Sequence, residues 1–133
     1  MTEDDSMTHD TQRDRNAYER LRIELLISGL SDWVSLAEAL QIISHFQLAD
    51  TDSERQDLVL RTIRSLLNDG LMQIGELPGP DGKVPAWEPI DVAMDRLRER
   101  FVGHYAEPTS WDYSIWLGLT DAGRPVAKAL RAG

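Results

Sequence analysis

The sequence predicts an α+β fold that is mostly helical, with a small antiparallel sheet, and three observations lead to this prediction. Apolar residues recur at helical spacing in several segments that begin or end at recognisable capping residues. The segment Leu71–Leu77, which follows Gly70, has the pattern of a half-buried strand. Near the C-terminus, Tyr113–Leu119 alternates between two faces and runs directly into Thr120, which can cap a last helix.

The composition indicates one domain with one core. A chain of 133 residues has the usual size of a single domain, and its hydrophobic content of 41% and charged content of 28% are ordinary. No apolar run approaches the roughly 20 residues of a membrane span, and the N-terminus lacks a secretory signal, so we expect a cytoplasmic protein. Cysteine is absent, which excludes disulfides and Cys-ligated zinc.

The chain divides into a tail and a domain. Residues 1–14 are polar, acidic and without periodicity, so we interpret them as a disordered acidic tail and residues 15–133 as the folded domain. The expected elements of that domain are, in order, a helix at about 15–30, a short strand at 33–34, helices at about 35–46 and 51–69, a strand at 71–77, a helix at about 89–105, a strand at 113–119 and a last helix after Thr120.

Capping signals predict where the helices start and stop. Ser35-Leu-Ala-Glu38 has the spacing of a capping box. The third helix has two such signals, Thr51–Glu54 and Ser53–Gln56, which leave two registers open for its first turn, and Gly70 suits the left-handed position after its end. The stripes expected to face the core are Leu36, Leu40 and Ile43 in the second helix, with Ala39 as a further candidate, Val59, Ile63, Leu66 and Leu67 in the third, Ile90, Met94, Leu97 and Phe101 in the fourth, and Val126, Ala127 and Leu130 in the last.

Two motifs resemble the winged helix-turn-helix domains of MarR-type and PadR-type bacterial regulators. The segment Ile63-Arg-Ser-Leu-Leu-Asn-Asp-Gly-Leu71 is similar to the junction between their recognition helix and first wing strand. The segment Leu119-Thr-Asp-Ala-Gly-Arg124 is similar to their exit from the second wing strand. The resemblance covers most of the chain from Tyr18 onward. It implies a winged-helix fold, a recognition helix in the DNA major groove, and dimers that bind two half-sites.

The chain departs from that family pattern between the two wing strands. In those families a short hairpin with a basic tip joins the strands, whereas here the turn Pro78–Lys83 precedes Trp87 and an entire amphipathic helix. Either the wing is enlarged by this additional helix, or the usual wing has been lost. Minor-groove contact by the turn would rest on Lys83, its one basic residue.

The third helix carries most of the candidate DNA-binding residues. Arg55, Arg61 and Arg64 lie off its buried stripe, together with the polar Gln56. In a recognition helix, Arg61 and Arg64 would contact phosphates or guanine edges. Alternatively, Arg61 pairs with Asp57 one turn back and this face is simply solvated. The predicted DNA-binding set is Arg55, Gln56, Arg61, Arg64 and Lys83.

Two tryptophans are candidates for a protein-interaction surface. Trp87 and Trp111 flank the fourth helix in loop-like contexts, where an indole could complete an interface or line a groove. Trp33 and Trp116 are expected to pack in the core or between elements instead.

Common catalytic and metal-binding patterns are missing from the sequence. His9, His45 and His104 are far apart, and no nucleophile elbow, phosphate-binding glycine loop or dinucleotide fingerprint is present. We therefore expect no enzymatic activity, no metal site and no cofactor.

Charge permits DNA binding without favouring it. The chain has 14 Lys and Arg against 23 Asp and Glu, a formal net charge of -9, whereas nucleic-acid binders usually present a basic face. Thr51–Gly70, with four acidic and three basic residues, is the least acidic part. Two hypotheses follow: a winged-helix transcription regulator that binds double-stranded DNA, as a homodimer if it follows those families, and a winged-helix protein-interaction module, an adaptor or inhibitor-like partner, that does not bind DNA.

Overall fold

The computed structural model describes residues 2–76, 87, 89–107, 111 and 114–133, with side chains described from residue 12 onward. Within these ranges the chain is mostly helical, with five helices and one three-stranded antiparallel sheet, so the predicted α+β class is confirmed. The elements are α1 (Thr2–Ser28), β1 (Val34–Ser35), α2 (Leu36–Phe46), α3 (Asp52–Asn68), β2 (Met72–Gly75), α4 (Ile90–Phe101), β3 (Trp116–Leu119) and α5 (Gly123–Ala132).

The sheet joins strands that are far apart in the chain. Its order is β1-β3-β2, and both pairings are antiparallel. Val34 of β1 lies opposite Leu117, and Met72 of β2 lies opposite Leu119. β3 is therefore the central strand, and α4 lies in the connection between the paired strands β2 and β3.

The side chain of Trp33 packs directly on the central strand. Gly118 of β3 is buried, and a side chain at this position would overlap the indole ring of Trp33. A strand glycine commonly marks such a close approach. Trp33 therefore packs between elements as predicted, while the first strand begins at Val34 and not at Trp33.

The capping signals fix the starts of α2 and α3. The Ser35 hydroxyl accepts a hydrogen bond of 3.1 Å from the backbone N–H of Glu38, as the capping-box spacing predicts. The Thr51 hydroxyl accepts one of 3.1 Å from the backbone N–H of Glu54. The first of the two predicted registers is therefore the one that α3 adopts.

The end of α3 is tied to the start of α5. Gly70 has a positive φ of 70°, and the N–H groups of Gly70 and Leu71 donate to the carbonyls of Leu67 and Leu66, which is the Schellman arrangement. The Thr120 hydroxyl then donates to the carbonyl of Gly70 at 2.6 Å, and the Thr120 N–H donates to that of Leu71 at 3.1 Å. The residues that follow α3, Gly70 and Leu71, are thus hydrogen-bonded to Thr120, which follows β3. We call this contact the joint between α3 and α5.

A single apolar core lies between the helices and the sheet. Leu21 and Leu25 of α1, Ile63 and Leu66 of α3, and Leu117 of β3 are all fully buried. Helix α1 packs against both α3 and α5, and α3 packs against α4 on its other side. The stripes predicted for α3 and α4 face this core, with Ile90 only half-buried.

Several boundaries differ from the predictions. Helix α1 begins at Thr2, well before the expected start near Arg15, so it includes most of the segment interpreted as a tail. The boundary between residues 14 and 15 stays a prediction. β3 begins at Trp116, and Tyr113, where the strand was expected to begin, lies outside the described residues. Within the described ranges, no helix combines the length and apolar character that crossing a membrane requires.

Helix α5 faces the core with a different stripe from the one expected. Gly123 and Ala127 are buried and Leu130 is half-buried, whereas Val126 is 38% exposed. Residues 123, 127 and 130 have the spacing of one helical face, and residue 126 lies off that face. The expectation that Val126 is buried is therefore wrong. Thr120 accepts from the N–H of Gly123, but the residue that immediately precedes the helix is Ala122.

Candidate nucleic-acid interface

Helix α3 has one buried face and one exposed face. The cap at Thr51 and the Schellman end at Gly70 define its two ends, and burial of its apolar stripe sets its rotation against the core. The opposite face is exposed along the whole helix and carries, in order, Ser53, Glu54, Asp57, Arg61, Arg64 and Asn68. This exposed face is the candidate nucleic-acid interface.

Arg61 is exposed and has no acidic partner among the described residues. Its guanidinium carbon lies 5.5 Å from the ring centroid of Tyr18 on α1. The predicted alternative, an ion pair with Asp57, is not formed. A cation–π contact at an exposed site is worth only about 0.5–1 kcal/mol, so it orients the guanidinium without occupying its N–H groups.

Arg64 forms an ion pair with the additional helix. Its Nη2 lies 3.2 Å from Oδ1 of Asp91, in the first turn of α4, and the two side chains are 52% and 88% exposed. Exposed pairs of this kind contribute about 0–1 kcal/mol and weaken with salt. A phosphate group can therefore replace the Asp91 carboxylate on Arg64 at little cost.

Arg55 and Gln56 do not belong to the same surface. Arg55 pairs with Asp52 at 2.9 Å and its side chain is only 29% exposed, while Gln56 is half-buried. Both residues lie off the exposed face that carries Arg61 and Arg64. The structure thus brings Arg61 and Arg64 together and separates them from the other two predicted residues of α3. Lys83 lies outside the described residues.

The two candidate interaction tryptophans have different environments. Trp87 is half-buried, its backbone N–H donates to the carbonyl of Ile74 at 2.9 Å, and the guanidinium carbon of Arg96 lies 5.5 Å from its ring centroid. Trp111 is only 4% exposed. The prediction that Trp111 forms an interaction surface is therefore corrected: its side chain is buried, and of these two tryptophans Trp87 is the one with an exposed part.

An aromatic cluster explains the burial of Trp111. Its ring stacks on Tyr105 with a centroid distance of 5.5 Å and meets Phe101 edge-on at 4.9 Å. Its indole N–H donates to the carbonyl of His104 at 3.1 Å, which satisfies the one polar group of the side chain. The cluster fixes the C-terminal end of α4 against the domain.

A polar network between α1 and α3 was not predicted from the sequence. Arg22 donates to Ser65 Oγ at 2.7 Å and pairs with Asp69 at 2.7 Å, and the hydroxyls of Tyr18 and Ser65 are hydrogen-bonded. Tyr18 and Arg22 are one turn apart on α1, as are Ser65 and Asp69 on α3. The one-turn spacing within each pair can be recognised in the sequence, but no sequence pattern indicates that these faces of α1 and α3 pack against each other. The network holds the Tyr18 ring beneath Arg61.

Metal ligands are not brought together in the described part of the chain. No group of three or more His, Asp or Glu side chains is placed there to hold a metal ion. His104 has one acidic neighbour, Glu107, with 3.8 Å between Nδ1 and Oε1.

Tyr105 connects the end of α4 to the start of α3. Its hydroxyl donates to Oδ1 of Asp52 at 3.2 Å, and Asp52 is also the partner of Arg55. Burial of the phenol, followed by the hydrogen bond to Asp52 and the negative charge of that carboxylate, raises the pKa of Tyr105 above its ordinary value of 10.0.

We expect the Tyr105 contact to be lost in alkaline solution. Because the pKa is higher in the folded than in the unfolded state, the protonated phenol stabilises the fold below pH 10, and this contribution disappears as the pH rises through the raised folded-state pKa. Urea unfolding measured from neutral pH to above pH 10 should therefore show a fall in stability for the wild type that is smaller for Tyr105→Phe. Identical pH profiles for the two proteins would contradict this expectation.

Comparisons of the chain with models of known protein families, with curated proteins and with solved structures gave no match. The function must therefore be argued from the geometry and charge of the chain itself.

Proposed function

We propose that the protein is a winged-helix transcription regulator that binds double-stranded DNA through the exposed face of α3. The order of elements supports the fold: α2 and α3 are consecutive packed helices, and β2 and β3 form an antiparallel pair after α3. In this proposal α4 is an additional helix within the wing.

The observation that carries the proposal is the placement of Arg61 and Arg64. Both project from the solvent-exposed face of α3, and neither is held by a buried ion pair. Arginines on an exposed helix can reach phosphates or bind the O6 and N7 atoms of guanine in two hydrogen bonds. Asp57, one turn before Arg61 on the same face, keeps the surface close to neutral and limits non-specific binding.

Neutralising both arginines should weaken DNA binding about tenfold or more at moderate salt. The variant is Arg61→Gln with Arg64→Gln, titrated with labelled random-sequence duplex DNA in fluorescence anisotropy. Each lost phosphate contact lowers the dependence of log K on log salt by about 0.9, so the slope should fall by about 1.8 in magnitude. The matched control is Arg15→Gln with Arg98→Gln, since these two arginines are exposed on α1 and α4 and form no ion pair among the described residues.

The outcomes separate the hypotheses. Loss of affinity in the α3 variant but not in the control supports the interface on α3. Equal affinities for the wild type, the α3 variant and the control would remove α3 from the site, and no binding by the wild type at low salt would remove the proposed function.

A protein-interaction module is the second proposal, and one observation favours it. The exposed face of α3 carries both acidic and basic side chains, and α4 adds Asp91 beside Arg64, so the charge pattern also suits a mixed-charge protein surface. The partially exposed Trp87, covered by Arg96, would then be part of the contact.

A further inference from the structure

Helix α5 carries a basic stripe that the predicted DNA-binding set does not include. Arg124, Lys128 and Arg131 are spaced by four and three residues, so they lie on one flank of the helix, and all three are exposed. The helix contains no Asp or Glu between Gly123 and Ala132. In a chain with a formal net charge of -9, this concentration of unopposed positive charge stands apart from the rest.

Among the described residues the basic stripe forms no ion pair, as is also true of Arg61, whereas several other arginines are paired. Arg22 and Arg100 pair with Asp69 and Glu76 at 2.7 and 2.8 Å. Among the described residues, none of the three cations of the stripe has an acidic partner within ion-pair distance. Their charge is therefore available to an external anion.

Two of the described acidic residues, Asp121 and Asp32, lie near the N-terminal end of the stripe, and neither forms an ion pair with it. Asp121 is exposed and precedes the helix. Asp32 lines the same shallow cavity as Arg124, but its Oδ1 accepts a hydrogen bond of 2.7 Å from the N–H of Trp33. Lys128 and Arg131 lie farther along the helix, one and two turns beyond Arg124.

The opposite face of α5 holds the stripe in a fixed orientation. Gly123 and Ala127 are buried against the domain, and α5 packs on α1. Thr120, at the joint described above, accepts from the N–H groups of Gly123 and Arg124. The three cations are therefore presented over about 10 Å of a helix axis that cannot rotate freely.

We propose that the basic stripe binds the phosphate backbone of duplex DNA, as a contact separate from the exposed face of α3. Duplex DNA carries one charge per about 1.7 Å of its axis, so several phosphates lie within the length of the stripe. A membrane surface fits less well, because interfacial helices bury Trp, Phe or Leu, whereas the large apolar side chain that α5 exposes is Val126. This inference rests on the proposed DNA-binding function but not on the α3 site, and the two surfaces can be tested apart.

The experiment measures DNA affinity against salt for four proteins. They are the wild type, the stripe variant Arg124→Gln/Lys128→Gln/Arg131→Gln, the α3 variant Arg61→Gln/Arg64→Gln, and the control Arg15→Gln/Arg98→Gln. The stripe variant is expected to lose about 2.7 in the magnitude of the slope, since three contacts of about 0.9 each are removed. Thermal unfolding should leave its Tm unchanged, because all three side chains are exposed.

The possible results distinguish the basic stripe from the exposed face of α3 as the DNA-binding surface. A reduced slope in the stripe variant, with the α3 variant unchanged, supports the stripe and rejects the α3 site; the reverse result rejects the stripe. A stripe variant that matches the control in DNA binding, but no longer binds vesicles containing phosphatidylserine that the wild type does bind, overturns the DNA assignment in favour of a membrane surface. A wild type that binds no duplex at low salt overturns both DNA proposals.

Discussion

Replacing Gly123 with alanine is expected to destabilise the protein by about 3 kcal/mol, because the new methyl group would overlap the backbone carbonyl of Leu71. That carbonyl cannot move away cheaply, since it accepts the hydrogen bond from the N–H of Thr120 and belongs to the joint between α3 and α5. The clash must therefore be relieved by shifting α5 or by breaking the joint. Urea unfolding followed by circular dichroism measures the loss directly.

The matched control for this variant is Gly133→Ala, also near the C-terminal end of the chain. A Cβ at Gly133 would have its nearest neighbour, the carbonyl of Ala129, at 3.4 Å, which is an ordinary contact. Its stability should stay within about 0.5 kcal/mol of the wild type. A Gly123→Ala variant as stable as Gly133→Ala would mean that the joint is not tightly packed in solution.

Replacing Phe101 with alanine is expected to cost about 3–5 kcal/mol of unfolding free energy, the usual loss for a fully buried aromatic residue. Phe101 is 0% exposed and meets the rings of Tyr105 and Trp111 edge-on, at 5.5 and 4.9 Å. Removal of the Phe101 ring leaves a cavity and eliminates its packing contacts with the rings of Tyr105 and Trp111. Trp111 should then become accessible to a collisional quencher of tryptophan fluorescence, to a degree that the wild type does not show.

The neighbouring residue supplies the control for Phe101. Val102 is 36% exposed, so Val102→Ala should change stability by about 0.5 kcal/mol or less. Since Trp33, Trp87 and Trp116 also fluoresce, the quenching measurement is best made in a chain in which these three are replaced by phenylalanine. An unfolding cost below about 1 kcal/mol for Phe101→Ala would contradict the tight packing of the cluster.

Local signals predicted most of the helical structure. A Ser or Thr hydroxyl that accepts a hydrogen bond from the backbone N–H three residues later favours a helix start. Ser35 and Thr51 both do this, as expected. Gly70 ends α3 because it accepts a positive φ without steric cost. Each of these effects acts within one helical turn, so the sequence alone carries the information. The start of α1 was missed because the residues before Arg15 lack the apolar stripe on which the prediction relied.

The candidate site was less predictable because it depends on partners from other elements. The pairing of Arg64 with Asp91 joins α3 to α4, and the stacking of Trp111 on Tyr105 depends on how the chain returns after α4. Neither contact has a local sequence signature. Trp111 was expected at the surface for this reason, although an indole can be buried wherever a carbonyl, here that of His104, accepts its N–H. The basic stripe of α5 was visible in the sequence, but its freedom from acidic partners was not.

The position of β3 at the centre of the sheet also constrains how the molecule folds. Pairing Ser35 with Trp116 closes a loop that includes α2, α3, β2 and α4, and pairing β2 with β3 closes one that includes α4. Loop-closure entropy opposes both steps, and pairings between distant residues slow folding. The helices can therefore form before the sheet. On the ribosome, a nascent chain that ends before residue 116 lacks the central strand, so neither strand pairing can form until Trp116–Leu119 has been synthesised.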